Sequence, residues 1–223
     1  MPLRLRPTAP LAADAILVGD PGRALLLAQE LLTQPKMSNH ARGLWGYSGR
    51  TPAGHPLTIQ ATGIGGPSAT LVLGDLAELG VRRAIRVGSC AGGAEVGLGD
   101  LLVVSEALAE GGSAAAHGLA AGTTARPDPE LTERLAEALD GDGRTSAVAS
   151  FDLHPRAEAL PAGVLAADMQ TAPLLSRARG LGLSIAVVLV VVEIEAGDRA
   201  LETEELEIRE KRAGQAARIV LST

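Results

Sequence analysis

The sequence predicts one α/β domain over residues 1–223, with a central mixed sheet flanked by helices. Three observations carry this expectation. Short apolar runs rich in Val and Ile alternate with stretches of helical spacing along the chain. One run, Ile185 to Val192 (IAVVLVVV), is apolar on both faces, as a strand covered by helices on both sides must be. No internal repeat is present, and no segment has the composition and length of an interdomain linker.

The elements follow in order. Ala15 to Val18 is a strand that stops at Gly19-Asp20-Pro21-Gly22-Arg23. Helix Pro21 to Leu32 opens there, with Pro in the first turn, where its missing N–H costs nothing. Leu57 to Ala61 is a strand, and TGIGGPS, Thr62 to Ser68, turns it into helix Ser68 to Leu79, closed by Gly80 as a C-cap. Ala84 to Val87 and Leu101 to Val104 are strands around a Gly-rich loop. Glu110 to Pro127, rich in small residues, reads as a mobile loop. Thr145 to Ala149 and Val164 to Ala166 are short strands, and Asp168-Met169-Gln170 precedes a further helix. The buried strand Ile185 to Val192 and an amphipathic helix, Glu202 to Leu221, complete the chain.

Composition bounds the function. A hydrophobic content of 46% and a mean hydropathy of +0.20 are ample for a core, yet Trp45, Tyr47 and Phe151 are the whole aromatic set. The core must therefore be Leu, Val, Ala and Ile, and no platform exists for stacking single-stranded bases. A net charge of −6 and a pI near 5.3 point away from a nucleic-acid partner. The single cysteine, Cys90, excludes an internal disulfide, and the four histidines lack metal-ligand spacing, so no metal is expected. Pro, Ala and Asp interrupt the N-terminal stretch where a signal peptide would need an apolar core. The longest apolar run is far short of a membrane span. A cytoplasmic protein without a membrane partner is expected.

Chemistry concentrates in a few stretches. In LVGDPGR, Leu17 to Arg23, the glycines and proline are either strand punctuation or an anion site. A strand-to-helix turn aims backbone N–H groups and the positive helix end one way, and an Arg adds a bidentate fork. IRVGSCAGG, Ile85 to Gly93, places Arg86 in an apolar strand, where its charge needs a partner, and Ser89 in the glycine loop beyond. Two Arg-bearing strand ends of the same design favour phosphate, because ligands of α/β sheets gather at the carboxyl ends of strands. ARGLWGYSG, Ala41 to Gly49, carries Arg42 with Trp45 and Tyr47, which are core or interface. TGIGGPS lacks the Lys-Ser or Lys-Thr of a P-loop and reads as close backbone packing more than ligand contact.

Together GDPGR, ARGLWGYSG, TGIGGPS, IRVGSC, the Asp-Met-Gln triplet and the apolar strand ending in an acid resemble the nucleoside phosphorylase family, which includes bacterial purine nucleoside phosphorylase and uridine phosphorylase. The resemblance is in the same order from about residue 14 onward and densest over residues 15–104. It implies a nucleoside phosphorylase-like fold and a site in which Gly19, Arg23, Arg86 and Ser89 hold inorganic phosphate as co-substrate. Arg42 would reach the phosphate of a neighbouring subunit, so the active unit would be a dimer, assembled into a hexamer. No other cofactor is implied. The implied reaction is phosphate-dependent cleavage of an N-glycosidic bond, giving free base and ribose 1-phosphate.

The half that would hold the nucleoside departs from the family pattern. The ribose motif Glu-Met-Glu is here Asp168-Met169-Gln170, so the acceptor for the sugar hydroxyls becomes neutral; alternatively the triplet is only a helix N-cap and a core Met. Ser-Asp at the end of the buried strand is replaced by Val192-Glu193; Glu193 either protonates the base or forms an unrelated ion pair. His154 stands where an aromatic residue often stacks on the base. No Gln-x-Arg pair follows Ser150 to Pro155 to read uracil, with Arg156 the only nearby substitute, which favours a purine. The early histidine that a neighbouring subunit would bring to the sugar 5′-hydroxyl is missing, with only Arg4 and Arg6 nearby. A purine-leaning nucleoside phosphorylase is the leading expectation. Uridine phosphorylase, a hydrolytic nucleosidase and a catalytically altered phosphate- or nucleoside-binding homologue are the alternatives.

Overall fold

The computed structural model describes residues 4–154, 160–194 and 199–223. Its strands are β1 (Asp14–Val18), β2 (Thr33–Asn39), β3 (Gly46–Arg50), β4 (Pro56–Ala61), β5 (Arg83–Gly92), β6 (Leu101–Ala109), β7 (Thr124–Ala125), β8 (Gly143–Ser150), β9 (Val164–Asp168), β10 (Ser184–Ile194) and β11 (Arg199–Ala200). The helices are α1 (Pro21–Leu31), α2 (Gly65–Glu78), α3 (Gly112–Ala115), α4 (Pro129–Ala138), α5 (Thr171–Leu181) and α6 (Thr203–Leu221). The strands form one mixed sheet in the order β11-β10-β6-β8-β9-β5-β1-β4-β3-β2, with β7 on β6. An additional parallel pairing of β10 with β5 closes five of these strands into a small barrel.

The double coverage expected of Ile185 to Val192 is present. Along β10, Val187, Leu189 and Val191 enter a core beneath α2 and α5, while Ala186, Val188 and Val190 enter a second core beneath α1, α4 and α6. The period of two that sends alternate side chains to opposite faces produces both cores from one strand. Burial of each Val or Leu is worth about 1.5–3 kcal/mol, so the strand anchors both layers.

Several expectations are corrected. Arg83–Gly92 is one continuous strand, so Gly88-Ser89-Cys90 lies in a ladder and not in a glycine loop. The stretch from Glu110 to Pro127 contains α3 and β7, the latter paired with β6. Helix α2 begins at Gly65, three residues before the Ser68 expected. The antiparallel β2 and β3 were not legible, because TQPKMSN and GYSGR are polar or broken by Gly and Pro. Helix α4 is an addition to the expected elements, although Asp128 caps it, Pro129 opens it and its buried Leu131 and Leu135 stand at i and i+4.

A buried ionic cluster ties the amino ends of β1 and β5 to the chain's end. Asp14, 6% exposed, accepts from Arg83 Nε and Nη2 at 2.8 Å each and lies 2.8 Å from His55 Nε2, while Arg83 also donates to the Leu221 carbonyl at 2.9 Å. Burial raises the Asp14 carboxyl, but the bonds from Arg83 and His55 outweigh it and hold the group below its ordinary value of 3.8. A depressed carboxylate stabilises the fold above its unfolded value, and that contribution is lost as pH falls through the folded one. Asp14→Asn is therefore expected to lower stability at neutral pH and to flatten its decline on acidification below 3.8. Denaturation midpoints of both proteins across the acid limb check this, and parallel curves would refute it.

Candidate active site

β1 and β5 run in parallel register as far as Leu17 opposite Arg86, and β5 then continues against β10 and β9. Where β1 ends, the gap at the strands' carboxyl ends opens a cavity of about 450 Å³. Gly19, Arg23, Arg86, Ser89, His154, Asp168, Met169, Gln170 and Glu193, all candidates from the sequence, line it.

Arg23 stands in the first turn of α1, placed there by the end of β1 and the proline that follows. Its backbone N–H is taken by the N-cap Asp20, whose Oδ1 lies 2.8 Å away. That N–H is thus not open to a ligand as the turn's composition suggests, and the positive group offered to the cavity is the guanidinium. Arg23 is 8% exposed, with Nε 2.5 Å from Glu210 Oε1 on α6 and Nη1 3.3 Å from the Val87 carbonyl.

Arg86 is 4% exposed and crosses the cavity floor. Its Nη2 donates to Asp168 Oδ2 at 3.0 Å and its Nη1 to Gln170 Oε1 at 2.5 Å, while its buried Nε has no partner among the described residues. Burial pulls this guanidinium below its ordinary value; Asp168 opposes the shift and Arg23 adds to it. Gly88 leaves room for the folded-back side chain, since a Cβ there would lie 2.7 Å from Arg86 Cζ and 2.6 Å from Leu189 Cδ2.

Asp168 and Gln170 are engaged by the protein itself. Asp168 accepts from Arg86, from Ser150 Oγ at 2.6 Å, and from the backbone and hydroxyl of Thr171, so it takes the first N–H of α5 and anchors Arg86 together. Gln170 Nε2 donates to the Gly63 carbonyl at 2.5 Å, and its Oε1 faces Arg86 and the Thr62 hydroxyl at 3.2 Å. These partners fix the amide's orientation, because the reverse would set NH₂ against guanidinium and oxygen against carbonyl. The Thr62 hydroxyl also lies 2.9 Å from the Val18 carbonyl, so its one proton is shared. The expected free acceptor for sugar hydroxyls is thus a cross-link between α5, β5 and the loop before α2.

That loop does both things that TGIGGPS allows. Gly63, Ile64 and Gly65 line the cavity, whereas Gly66 is packed so closely that a Cβ would lie 2.4 Å from Ser113 Oγ and 2.7 Å from Pro173 Cγ. Ile64 is 84% exposed at the mouth. Cys90 also lines the cavity, but burial pushes its thiol well up and it lies 3.5 Å from the Val190 carbonyl, so it offers neutral surface.

A second polar pair, Glu193 and His154, also lines the cavity. Glu193 Oε1 lies 3.0 Å from His154 Nε2, with side chains 20% and 71% exposed. A shift of register between Val191 and Glu193 in the β10–β5 ladder turns the acid into the cavity at the strand's end. Of the two roles held open for Glu193 from sequence, the ion pair is present, with His154 as the partner.

Arg42 is not among the residues lining this cavity. It sits exposed in the turn Ala41–Gly43 with φ of 60°, apart from Arg23 and Arg86. Tyr47 is a core residue, 6% exposed on β3 between Met37 and Ile59, and Trp45 packs partly buried against the same core. Arg4 is bonded to Asp75 on α2 at 3.0 Å. Arg156 and Pro155 lie outside the described residues. Two site residues escaped the sequence reading: Asp20, visible as a cap before Pro21, and Glu210. The only signal for Glu210 is an acid in helical register with the small buried Ala213, Gly214 and Ala217.

The Phosphorylase superfamily matches residues 14–223. A DeoD-type purine nucleoside phosphorylase of Oceanobacillus iheyensis is 42% identical over 80 residues, covering 35% of this chain and 34% of that protein. The corresponding protein of Limosilactobacillus reuteri is 40% identical over 103 residues, covering 45% and 42%. The chain thus matches under half the length of these relatives. The solved structure of uridine phosphorylase from Vibrio fischeri superposes with a TM-score of 0.84 at 24% identity, covering 95% of this chain and 92% of that one, a likeness of fold.

Proposed function

The chain belongs to the Phosphorylase superfamily, and from that premise we propose that it cleaves the N-glycosidic bond of a nucleoside with inorganic phosphate, favouring purine nucleosides. The observation that carries this reading is one cavity lined at once by two buried arginines, Arg23 and Arg86, and by the carboxylate of Glu193. Arg23 and Arg86, with Gly19 and Ser89, hold the phosphate. Arg42 of a neighbouring copy completes the clamp, which makes the working unit a homo-oligomer built on a dimer.

A phosphate oxygen forms a bond to the anomeric carbon as the bond from that carbon to the base nitrogen breaks. The bonding pair leaves with the base, and Glu193, in its acid form, supplies the proton that neutralises it. Fixing phosphate beneath the sugar contributes proximity, and its negative charge stabilises the cationic sugar in the transition state. Met169 and the Gly63–Gly65 loop wall the sugar. The names of the two relatives compared above support a purine, as does the lack of a Gln-x-Arg pair after Ser150 to Pro155. Assays of inosine and uridine with and without phosphate test the reading. Base release only with phosphate, faster from inosine, is expected; release that ignores phosphate marks a hydrolase.

The engaged amide of Gln170 favours one other reading, a homologue that binds nucleoside without turnover. Tight inosine binding with no base release under any condition would establish it. Gln170→Glu probes the same wall. The carboxylate keeps Arg86 but sets an oxygen against the Gly63 carbonyl, so it swings toward the cavity and accepts from the sugar diol. Ribonucleoside binding is expected to tighten by roughly 1 kcal/mol, the difference between charged and neutral acceptors, with 2′,3′-dideoxyinosine unaffected. Calorimetry with both ligands checks this, and an equal gain for the two would refute the diol contact.

A further inference from the structure

The two arginines do not face the cavity as bare charges. Asp168 backs Arg86 and Glu210 backs Arg23, so each guanidinium already has a carboxylate beside it. Asp168 is satisfied by several further donors, whereas Glu210 makes its bond to Arg23 alone among the described side chains. Glu210 is 5% exposed and does not line the cavity, so it touches Arg23 from behind. Close helix packing sets it there: a Cβ at Gly214 would lie 2.7 Å from Leu27 Cδ2, one turn along both helices from the Arg23–Glu210 pair.

We propose that Glu210 is a built-in counter-ion of Arg23 that sets the affinity of the anion site, the incoming anion and the carboxylate sharing the charge of one guanidinium. This rests on the reading of Arg23 and Arg86 as the phosphate holders. An anion that shares Arg23 with Glu210 sets a second negative charge near the carboxylate, so binding favours the protonated form of Glu210 and draws a proton from solution. Burial already raises the Glu210 carboxyl, partly offset by Arg23 and reinforced by Asp20 and Glu207.

The groups packed around Glu210 leave few rivals for this role. Asp20 and Arg23 face it from α1 and Glu207 from its own helix, with Arg86 on β5 beyond Arg23. The carboxylates of β1 and β10, Asp14 and Glu193, are paired with Arg83 and His154. On α4, Glu130, Glu133 and Glu137 are exposed and Arg134 is held by the Val220 carbonyl. Arg209 and Arg212 of α6 are held by Asp142.

Sulfate is the probe, since it resembles phosphate without titrating near neutrality. Calorimetry of the full chain in buffers of differing ionisation enthalpy is expected to show proton uptake on sulfate binding and tighter binding at mildly acidic than at neutral pH. Glu210→Gln keeps an oxygen acceptor for Arg23 Nε but removes the charge, so at neutral pH sulfate is expected to bind about tenfold tighter, with uptake reduced. Every other group of the cavity is common to both proteins, so the difference between them reads Glu210. In turnover, the phosphate KM of the variant should fall while the nucleoside KM holds. Weaker or unchanged sulfate binding in a folded Glu210→Gln, or no proton uptake by the wild type, overturns the proposal while leaving the phosphate reading intact. No sulfate or phosphate binding by the wild type overturns both.

Discussion

Arg86→Ala is expected to abolish phosphate-dependent turnover, a loss of at least about 10²–10³, and to destabilise the fold as well. The effect on the fold comes from its pairing with Asp168. Asp168 is 3% exposed, and without the guanidinium its charge stays buried and uncompensated. Breaking such a pair from one side costs about 3–5 kcal/mol. The double variant Arg86→Met with Asp168→Asn removes both charges and keeps an oxygen for Thr171, so stability should largely return while turnover does not. Denaturant midpoints and base release, measured on both variants, separate the two roles. Turnover near wild type in the folded double variant would remove Arg86 from the anion site.

Glu193→Gln is expected to lower kcat by about 10²–10⁴, the span that a positioned general acid supplies. Sulfate and phosphate binding should hardly change, because Glu193 is paired with His154, whereas the arginines are paired with Glu210 and Asp168. Nucleosides whose bases leave readily should lose least, since they need the proton least. His154→Ala tests the partner. It removes the contact 3.0 Å from Glu193 Oε1 and leaves the carboxylate in the cavity, so a smaller loss and an altered pH–rate profile are expected. If Glu193→Gln cleaves inosine at the wild-type rate, the pair is only an ionic contact at the cavity mouth.

Local pattern decided a good deal of this protein. The uninterrupted apolar runs at 15–18 and 185–192 are strands because they can be buried on both faces of a pleated layer, and LTIQA at 57–61 alternates apolar and polar residues with the period of a strand. Gly19 to Arg23 marks a strand end and helix start by its own backbone preferences, and Arg86 in an apolar strand announces a buried charge with a partner. Those signals sit within a few residues of one another, so they survive without knowledge of the fold. The polar strands at 33–39 and 46–50 carry no such signal, since they exist through the ladder each makes with its neighbours.

What only the tertiary structure decided is which charges meet. Arg23 finds Glu210 across 187 positions and Arg86 finds Gln170 across 84. Glu193 reaches His154 from the far end of β10. Hence the acceptor that the triplet 168–170 promised became a cross-link, and an anonymous glutamate in a charged helix became the counter-ion of the anion site. The physical reason is that a buried ion must be paired, but any of many distant carboxylates satisfies that rule equally well in one dimension. The choice among them is made by helix packing and strand register, which place side chains in space by contacts that no local spacing encodes.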